Sequence, residues 1–240
     1  MRTYINILIL IINVFFSSTY VVAGISLDTT RIIFTTENER QGLSVGISSS
    51  KQSIVPYLVK AQVLSDIEGS NSDVPFIVTP SLFRLEPGST NQVRIVKIDK
   101  DLPIDKESIF YFRTTAIPAG DKNSSEFQTV VGGALSVSTG SIIKLFYRPN
   151  GLPITQKQAM ANLVFSYENN HIEVKNPTPY FITLSKLIID DVKVPLNLKN
   201  TMIEPYSSQM YLVDVSKLGS IEWQAINDYG AKEIFYGTFK

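Results

Sequence analysis

Lys144 stands in the middle of SIIKLFYRP (141–149), a run of β-branched and aromatic residues where an ammonium group is out of place. A charge in apolar surroundings is costly unless its head reaches water or an anion. The position therefore allows two readings: an edge-strand lysine that discourages sheet-to-sheet pairing, or a cation that waits for a negative partner. Catalytic chemistry has little to work with. The chain has no cysteine and one histidine, which excludes a thiol nucleophile, a Cys/His zinc cluster and a His-rich metal site. A Ser-His-Asp triad would have to use His171, whose setting YENNHIEVKN reads as a strand start after an Asn-Asn turn, with no nucleophile motif beside it. The glycines of VVGGALS lack both the Walker lysine pattern and a following helix. Binding rather than catalysis is expected, with no cofactor and no metal ion.

The elements that must position such a lysine begin after an export signal. Arg2, the apolar stretch Ile5–Phe16 and the small residues before Gly24 have the layout of a secretory signal peptide over 1–23, cleaved after Ala23. The apolar stretch is shorter than the roughly 20 residues a membrane span needs, so no membrane insertion is expected after cleavage. The 22 basic and 22 acidic side chains balance, which gives no electrostatic reason to expect nucleic acid or an anionic membrane as partner. Without disulfides, an exported chain must rely on ordinary apolar cores, which units of about 100 residues can supply.

From Gly24 onward the chain reads as short strands separated by turns. GLSVGIS, YLVKAQVL, SQMYLVDV and EIFYGTF alternate apolar and polar residues, while SSSKQS, Leu-Glu-Pro-Gly at 85–88 and Asp-Lys-Asn-Ser-Ser at 121–125 break them. LPITQKQAMANLVF allows one helical turn before a strand. Many short strands at this spacing predict antiparallel β-sandwiches. Arg148-Pro149-Asn150-Gly151-Leu152-Pro153 cannot continue a central strand, and it divides the chain into two units. Before it, TVVGGALSVSTGSIIKLFYRP predicts a strand far longer than the usual five or six residues, exposed as an edge unless something covers it.

Six motifs occur in one order: GISLDTTRIIF (24–34), TPSLFRLEPG (79–88), ESIFYFRTTAIP (107–118), IKLFYRP (143–149), NPTPYFITL (176–184) and INDYG (226–230). Together they resemble the periplasmic pilus (fimbrial) chaperones of the chaperone–usher pathway, the PapD-like family, across essentially the whole chain after Gly24. The resemblance implies an all-β fold of two immunoglobulin-like β-sandwich domains joined at an angle, with a cleft between them. The N-terminal domain with its donor strand would span 24–149 and the C-terminal domain 150–240. It implies a non-enzymatic periplasmic protein whose partners are pilus subunits and an outer-membrane usher. Each subunit would receive the long edge strand in place of its own missing strand; chaperone–pilin complementation is a standard example of strand addition.

Residue roles follow from the same resemblance. Arg31 and Lys144 would hold the subunit's C-terminal carboxylate, for which a planar guanidinium and a compact ammonium are suited. Glu107, Arg148 and Asp228 would form an inter-domain ionic network; the competing reading is three separate surface charges worth under ~1 kcal/mol each. Aligned by its IKLFYRP end, the strand donates Val131, Gly133, Leu135, Val137 and Thr139. Strict alternation from Lys144 selects the other face, so either Lys144 points away from the donated residues or Gly140 carries a bulge that re-aims it. Pro177, Pro179 and Gly230 are expected only to shape turns. The short loop before the strand and the absence of cysteine place the chain with the short-loop subgroup. The alternative reading is a pilus structural subunit or adhesin built from immunoglobulin-like domains. Against it, the mature chain would start directly in the ISLDTTRIIF strand, with no donor extension.

Overall fold

The structure, a computed structural model, describes residues 24–69, 73–119, 138–168, 171–213 and 219–239. Its first sandwich holds β1 (Ile25–Leu27), β2 (Arg31–Thr35), β3 (Leu43–Ser49), β4 (Tyr57–Leu64), β5 (Phe76–Thr79), β6 (Leu82–Leu85), β7 (Thr90–Lys97), β8 (Ser108–Pro118) and β9 (Thr139–Arg148). Period-two alternation forms these strands and sets their faces: along β4, Tyr57, Val59, Ala61 and Val63 are buried while Leu58 and Lys60 face out. One sheet has the order β1-β3-β7-β5 and the other β2-β9-β8-β4-β6. Between them Phe34, Phe76 and Phe110 stack edge to face, each successive pair of rings 5.1 Å apart.

The opening segment of the chain serves both sheets. β1 pairs antiparallel with β3, then the chain turns at Asp28-Thr29-Thr30 and β2 pairs parallel with β9. The turn is held by the Asp28 carboxylate, which accepts the Gly46 N–H at 2.8 Å, and by the Thr29 hydroxyl, which donates to the Arg31 carbonyl at 2.6 Å. These local bonds fix where β2 starts, and therefore where Arg31 stands. The Thr79–Pro80 peptide between β5 and β6 is cis.

The second sandwich begins with a six-residue helix, α1 (Gln156–Ala161), where the sequence allows one helical turn. Thr155 and Gln158 form its capping box, and Ala159 and Met160 are buried. The strands are β10 (Val164–Glu168), β11 (His171–Asn176), β12 (Ile182–Ile189), β13 (Val192–Lys193), β14 (Met202–Ile203), β15 (Ser207–Leu212), β16 (Ile221–Ile226) and β17 (Lys232–Gly237). They form the sheets β10-β11-β15 and β13-β12-β16-β17, with β14 also paired to β12. Trp223 lies 4.9 Å from Phe165 in this core, and its indole N–H donates to the Met160 carbonyl at 2.9 Å. His171 begins β11 opposite Glu168, the strand start expected after the Asn-Asn turn. The two cores are separate, one built from residues between Ile32 and Tyr147, the other between Ala159 and Ala225.

Candidate functional site

β9 explains how a lysine is accommodated within an apolar strand. Its alternation sends Leu145 and Tyr147 into the first core and turns Lys144, Phe146 and Arg148 toward the second domain. The β8–β9 register runs unbroken from Thr139 opposite Ala116 to Tyr147 opposite Ser108, so Gly140 carries no bulge. Lys144 and Thr139 therefore lie on opposite faces by parity alone. Gly140 is needed for a different reason: a Cβ there would sit 2.4 Å from the Thr114 carbonyl oxygen.

The parallel pairing of β2 and β9 sets Arg31 directly beside Lys144. One Arg31 terminal nitrogen donates to the Ile226 carbonyl at 3.0 Å, and the guanidinium lies 5.8 Å from the centre of the Phe146 ring. Its Nε is buried with no hydrogen-bond partner. The Lys144 ammonium donates to the Thr183 hydroxyl at 3.2 Å. Among the described residues, no carboxylate forms an ion pair with either cation. Burial, together with the neighbouring Arg31 charge, pushes the Lys144 ammonium down to about 8. Burial also lowers Arg31, against the opposing pull of the Asp228 and Glu107 carboxylates.

Four residues along the same face, Arg148 is fully paired. Its Nε donates to Glu107 at 2.7 Å, and its two terminal nitrogens donate to the two Asp228 oxygens, both at 2.7 Å. Tyr180 lies under the guanidinium at 5.0 Å. Glu107 is buried and ties the domains together twice more: its second oxygen accepts the Phe181 N–H at 2.8 Å, and its own N–H donates to the Pro179 carbonyl at 2.9 Å. Burial pushes the Glu107 carboxyl up, while the Arg148 charge and hydrogen bond hold it down. For Arg148 burial acts downward, but the Asp228 and Glu107 carboxylates outweigh it and raise the guanidinium above its ordinary value.

The edge of β9 is covered unevenly. β2 pairs with Lys144–Arg148, whereas no described strand pairs with Thr139–Ile143 on that side. The expected donor residues Val131, Leu135 and Val137, with Gly133, lie outside the described residues; Thr139 is half-buried at the start of β9.

Comparison with known proteins identifies the family. The family model described as the Pili and flagellar-assembly chaperone, PapD N-terminal domain matches residues 24–153, and the Pili assembly chaperone PapD, C-terminal domain matches 158–234. The chain belongs to the PapD-like pilus-assembly chaperones. It is 37% identical over 210 residues to the probable fimbrial chaperone ElfD of Escherichia coli K12, covering 87% of this chain and 84% of that one. It is 33% identical over 228 residues to the chaperone PsaB of Yersinia pestis, covering 86% and 80%. Among solved structures, the E. coli chaperone DraB superposes with a TM-score of 0.75 at 28% identity, covering 91% of this chain and 97% of DraB. The SafB chaperone of Salmonella enterica, solved in complex with the SafA pilin, gives a TM-score of 0.74 at 26% identity, covering 90% and 96%. This family is made up of non-enzymatic pilus assembly chaperones, and the match to both of its domains sets aside the structural-subunit reading.

Within this chaperone, sequence reasoning missed the residues that face the cations from the second domain. Thr183 accepts from Lys144, the Ile226 carbonyl accepts from Arg31 and Tyr180 lies under Arg148, while Phe181 packs against Phe146 at 5.9 Å. The missed signal lies in NPTPYFITL. Asn176 is fully buried, accepting from the Thr178 N–H and hydroxyl and donating to the Tyr180 and Glu204 carbonyls at 2.7 and 2.9 Å. An Asn followed two residues later by Thr, between prolines, is a built turn, and this one carries a wall of the cleft. Gly230 does more than turn the chain. At φ +81° it approaches the first domain so closely that a Cβ would lie 2.4 Å from the Thr30 hydroxyl oxygen.

Proposed function

We propose that this chaperone, exported to the periplasm with cleavage after Ala23, captures pilus subunits by strand addition and hands them to an outer-membrane usher. The observation that carries the reading is the conjunction of an edge that no described strand covers and a pair of cations at its end. A strand added along Thr139–Ile143 lies in line with β2, whose first residue, Arg31, stands beside Lys144. Running parallel to β9, its last residue arrives at the cations and presents a carboxylate. Running antiparallel, its first residue would bring an ammonium to two positive charges. Electrostatics therefore selects a parallel strand with a free C-terminus, held by charge-assisted bonds of about 1.5–3 kcal/mol each.

The anchor also fixes register, because a slip of one residue turns every side chain to the wrong face. Carried back along the sequence, the face of Thr139, Ile143 and Leu145 selects Val131, Leu135 and Val137 as the residues offered to the subunit's open groove. The second domain, tied by Glu107, Arg148 and Asp228, closes the far side of the anchor.

Co-expression with candidate subunits and recovery of soluble complexes tests both halves. The Arg31→Ala/Lys144→Ala double variant should remain folded and recover no subunit. Leu135→Asp should likewise lose the complex, whereas Ser136→Asp on the other face should do far less. Normal pilus assembly by the double variant would refute the anchor. A greater loss from Ser136→Asp would put the donated face wrong by one residue. Amino-terminal sequencing of the periplasmic protein should begin at Gly24.

A further inference from the structure

The break between the domains holds a pair of residues that neither the anchor nor the ionic network uses. Asn150-Gly151 is the one asparagine–glycine step in the chain; every other asparagine is followed by a residue that carries a side chain. Both residues are exposed in the turn after β9. Gly151 holds φ +82°, and nothing lies within 4 Å of where its Cβ would stand, so the turn has open space on that side. Among the described residues, the Asn150 side chain makes no hydrogen bond and the Gly151 N–H has no acceptor. Asn150 is held only through its own N–H, which donates to the Thr36 hydroxyl at 3.1 Å. Other turn asparagines are the opposite case. The Asn227 side-chain carbonyl accepts the Tyr229 and Ala231 N–H groups at 3.1 and 3.0 Å, and that of Asn197 accepts the Lys199 N–H at 2.9 Å.

We propose that Asn150 is a spontaneous modification site, converting through a cyclic imide to aspartate and its β-linked isomer at the junction of the domains. The Gly151 backbone nitrogen gives its proton to hydroxide and attacks the Asn150 side-chain carbon. The new N–C bond closes a succinimide ring, the bond from that carbon to Nδ2 breaks, and ammonia leaves with a proton taken back from water. Water then opens the ring at either carbonyl, giving aspartate or a main chain that runs through the side-chain carbon. Glycine permits the closure because it puts no Cβ beside the attacking nitrogen, and the unbonded Asn150 amide breaks no hydrogen bond to turn toward it. The change falls between two fixed points: Arg148, paired with Asp228, and Ile154, whose carbonyl accepts from the Tyr180 hydroxyl at 2.6 Å. The β-linked form adds a methylene to the connection between them. Either product sets a carboxylate on the cavity that Asn150 lines with Asp101 and with Glu39, which Lys97 already pairs at 3.6 Å, so like charges repel there. The bond from the Asn150 N–H to Thr36 is the contact that gives way.

The full mature chain is incubated in mildly acidic and mildly alkaline buffer, then mapped by proteolysis and mass spectrometry, with an isoaspartate methyltransferase as the probe for the β-linked product. The peptide carrying Asn150 should gain the mass difference between an amide and an acid, faster at the alkaline pH, and should accept methyl groups. No other asparagine should convert faster. Asn150→Gln should abolish the gain, since its longer side chain closes a larger ring poorly, and Gly151→Ala should slow it. In converted protein the Asn150 N–H should exchange with solvent faster than in fresh protein. An unchanged Asn150 under conditions that convert the denatured chain would overturn the proposal, as would earlier conversion of another asparagine. A mass gain without methyl acceptance, or undiminished conversion in Gly151→Ala, would overturn the imide route. Unaltered exchange at Asn150 in the converted protein would overturn the loss of the Thr36 bond.

Discussion

Lys144 and Arg148 sit four residues apart on one face of one strand, turned toward the same neighbouring domain, and their surroundings are opposite. Arg148 meets two carboxylates and an aromatic ring, its Nε bound to Glu107 of its own domain and both terminal nitrogens reaching Asp228 of the second. Lys144 meets another cation and a hydroxyl. Burial disfavours charge at both places, yet one pKa is raised by its partners and the other is pushed down to about 8. The difference separates two uses of a buried charge. A neutralised cation is finished structure, holding the domains in place. A cation pair with no carboxylate partner among the described residues is, on the anchor reading proposed above, stored demand for an anion, and the fold carries its desolvation cost until one arrives.

The comparison can be broken most forcefully at Glu107. Glu107→Ala leaves Arg148 half-paired in a buried site and removes the carboxylate that accepts the Phe181 N–H, and breaking such a pair costs about 3–5 kcal/mol. Denaturant unfolding should show that loss, and a stability within ~1 kcal/mol of the parent would mean that the network is surface decoration. At the other cation the sign reverses. Lys144→Met removes a charge that has no counterion among the described residues, so the free chaperone should be as stable as the parent or more so. Subunit capture should weaken by about 1.5–3 kcal/mol, the worth of one charge-assisted bond. A destabilised Lys144→Met protein would show that the lysine is structural after all.

The smallest effect is a pH dependence. An incoming carboxylate favours the ammonium form, so the bound Lys144 titrates above its free value of about 8. Binding then takes up a proton as pH rises past 8, and affinity should fall by up to about tenfold per unit there, while staying flat below about 7. Lys144→Arg should abolish the slope, because a guanidinium stays charged throughout. In the free protein the folded value lies below the ordinary 10.5, so the cost of the charge is present below pH 8 and relieved between 8 and 10.5. The stability of the parent relative to Lys144→Met should rise across that window.

These contrasts were unevenly legible in the sequence. Alternation gave the strands and a proline-rich break gave two units, because burial on one face of a sheet writes itself into a period of two. The partnership of Arg31 with Lys144 came only through family resemblance, since a parallel pairing between distant segments leaves no local trace. Parity along β9 could already have decided which way Lys144 points, without the bulge at Gly140. Thr183 and the Ile226 carbonyl stayed hidden for different reasons. The threonine follows a motif that reads as a turn, and a backbone carbonyl has no side-chain signature at all. The ionic network of Glu107, Arg148 and Asp228 gathers as the resemblance implied, but the use of Glu107 as a backbone clamp on Pro179 and Phe181 has no counterpart in its sequence context.

The parallel pairing of β2 with β9 has one more consequence, in the order of folding. It joins the beginning of the first domain to its end, and contacts of such high sequence separation form late because loop closure must come first. A partly folded chain therefore has one cation of the pair without the other, and no bidentate grip on a terminus. On the anchor proposed above, competence to hold a subunit's terminus arises only as the domain completes itself, so an immature chain is kept from clients without any separate inspection step.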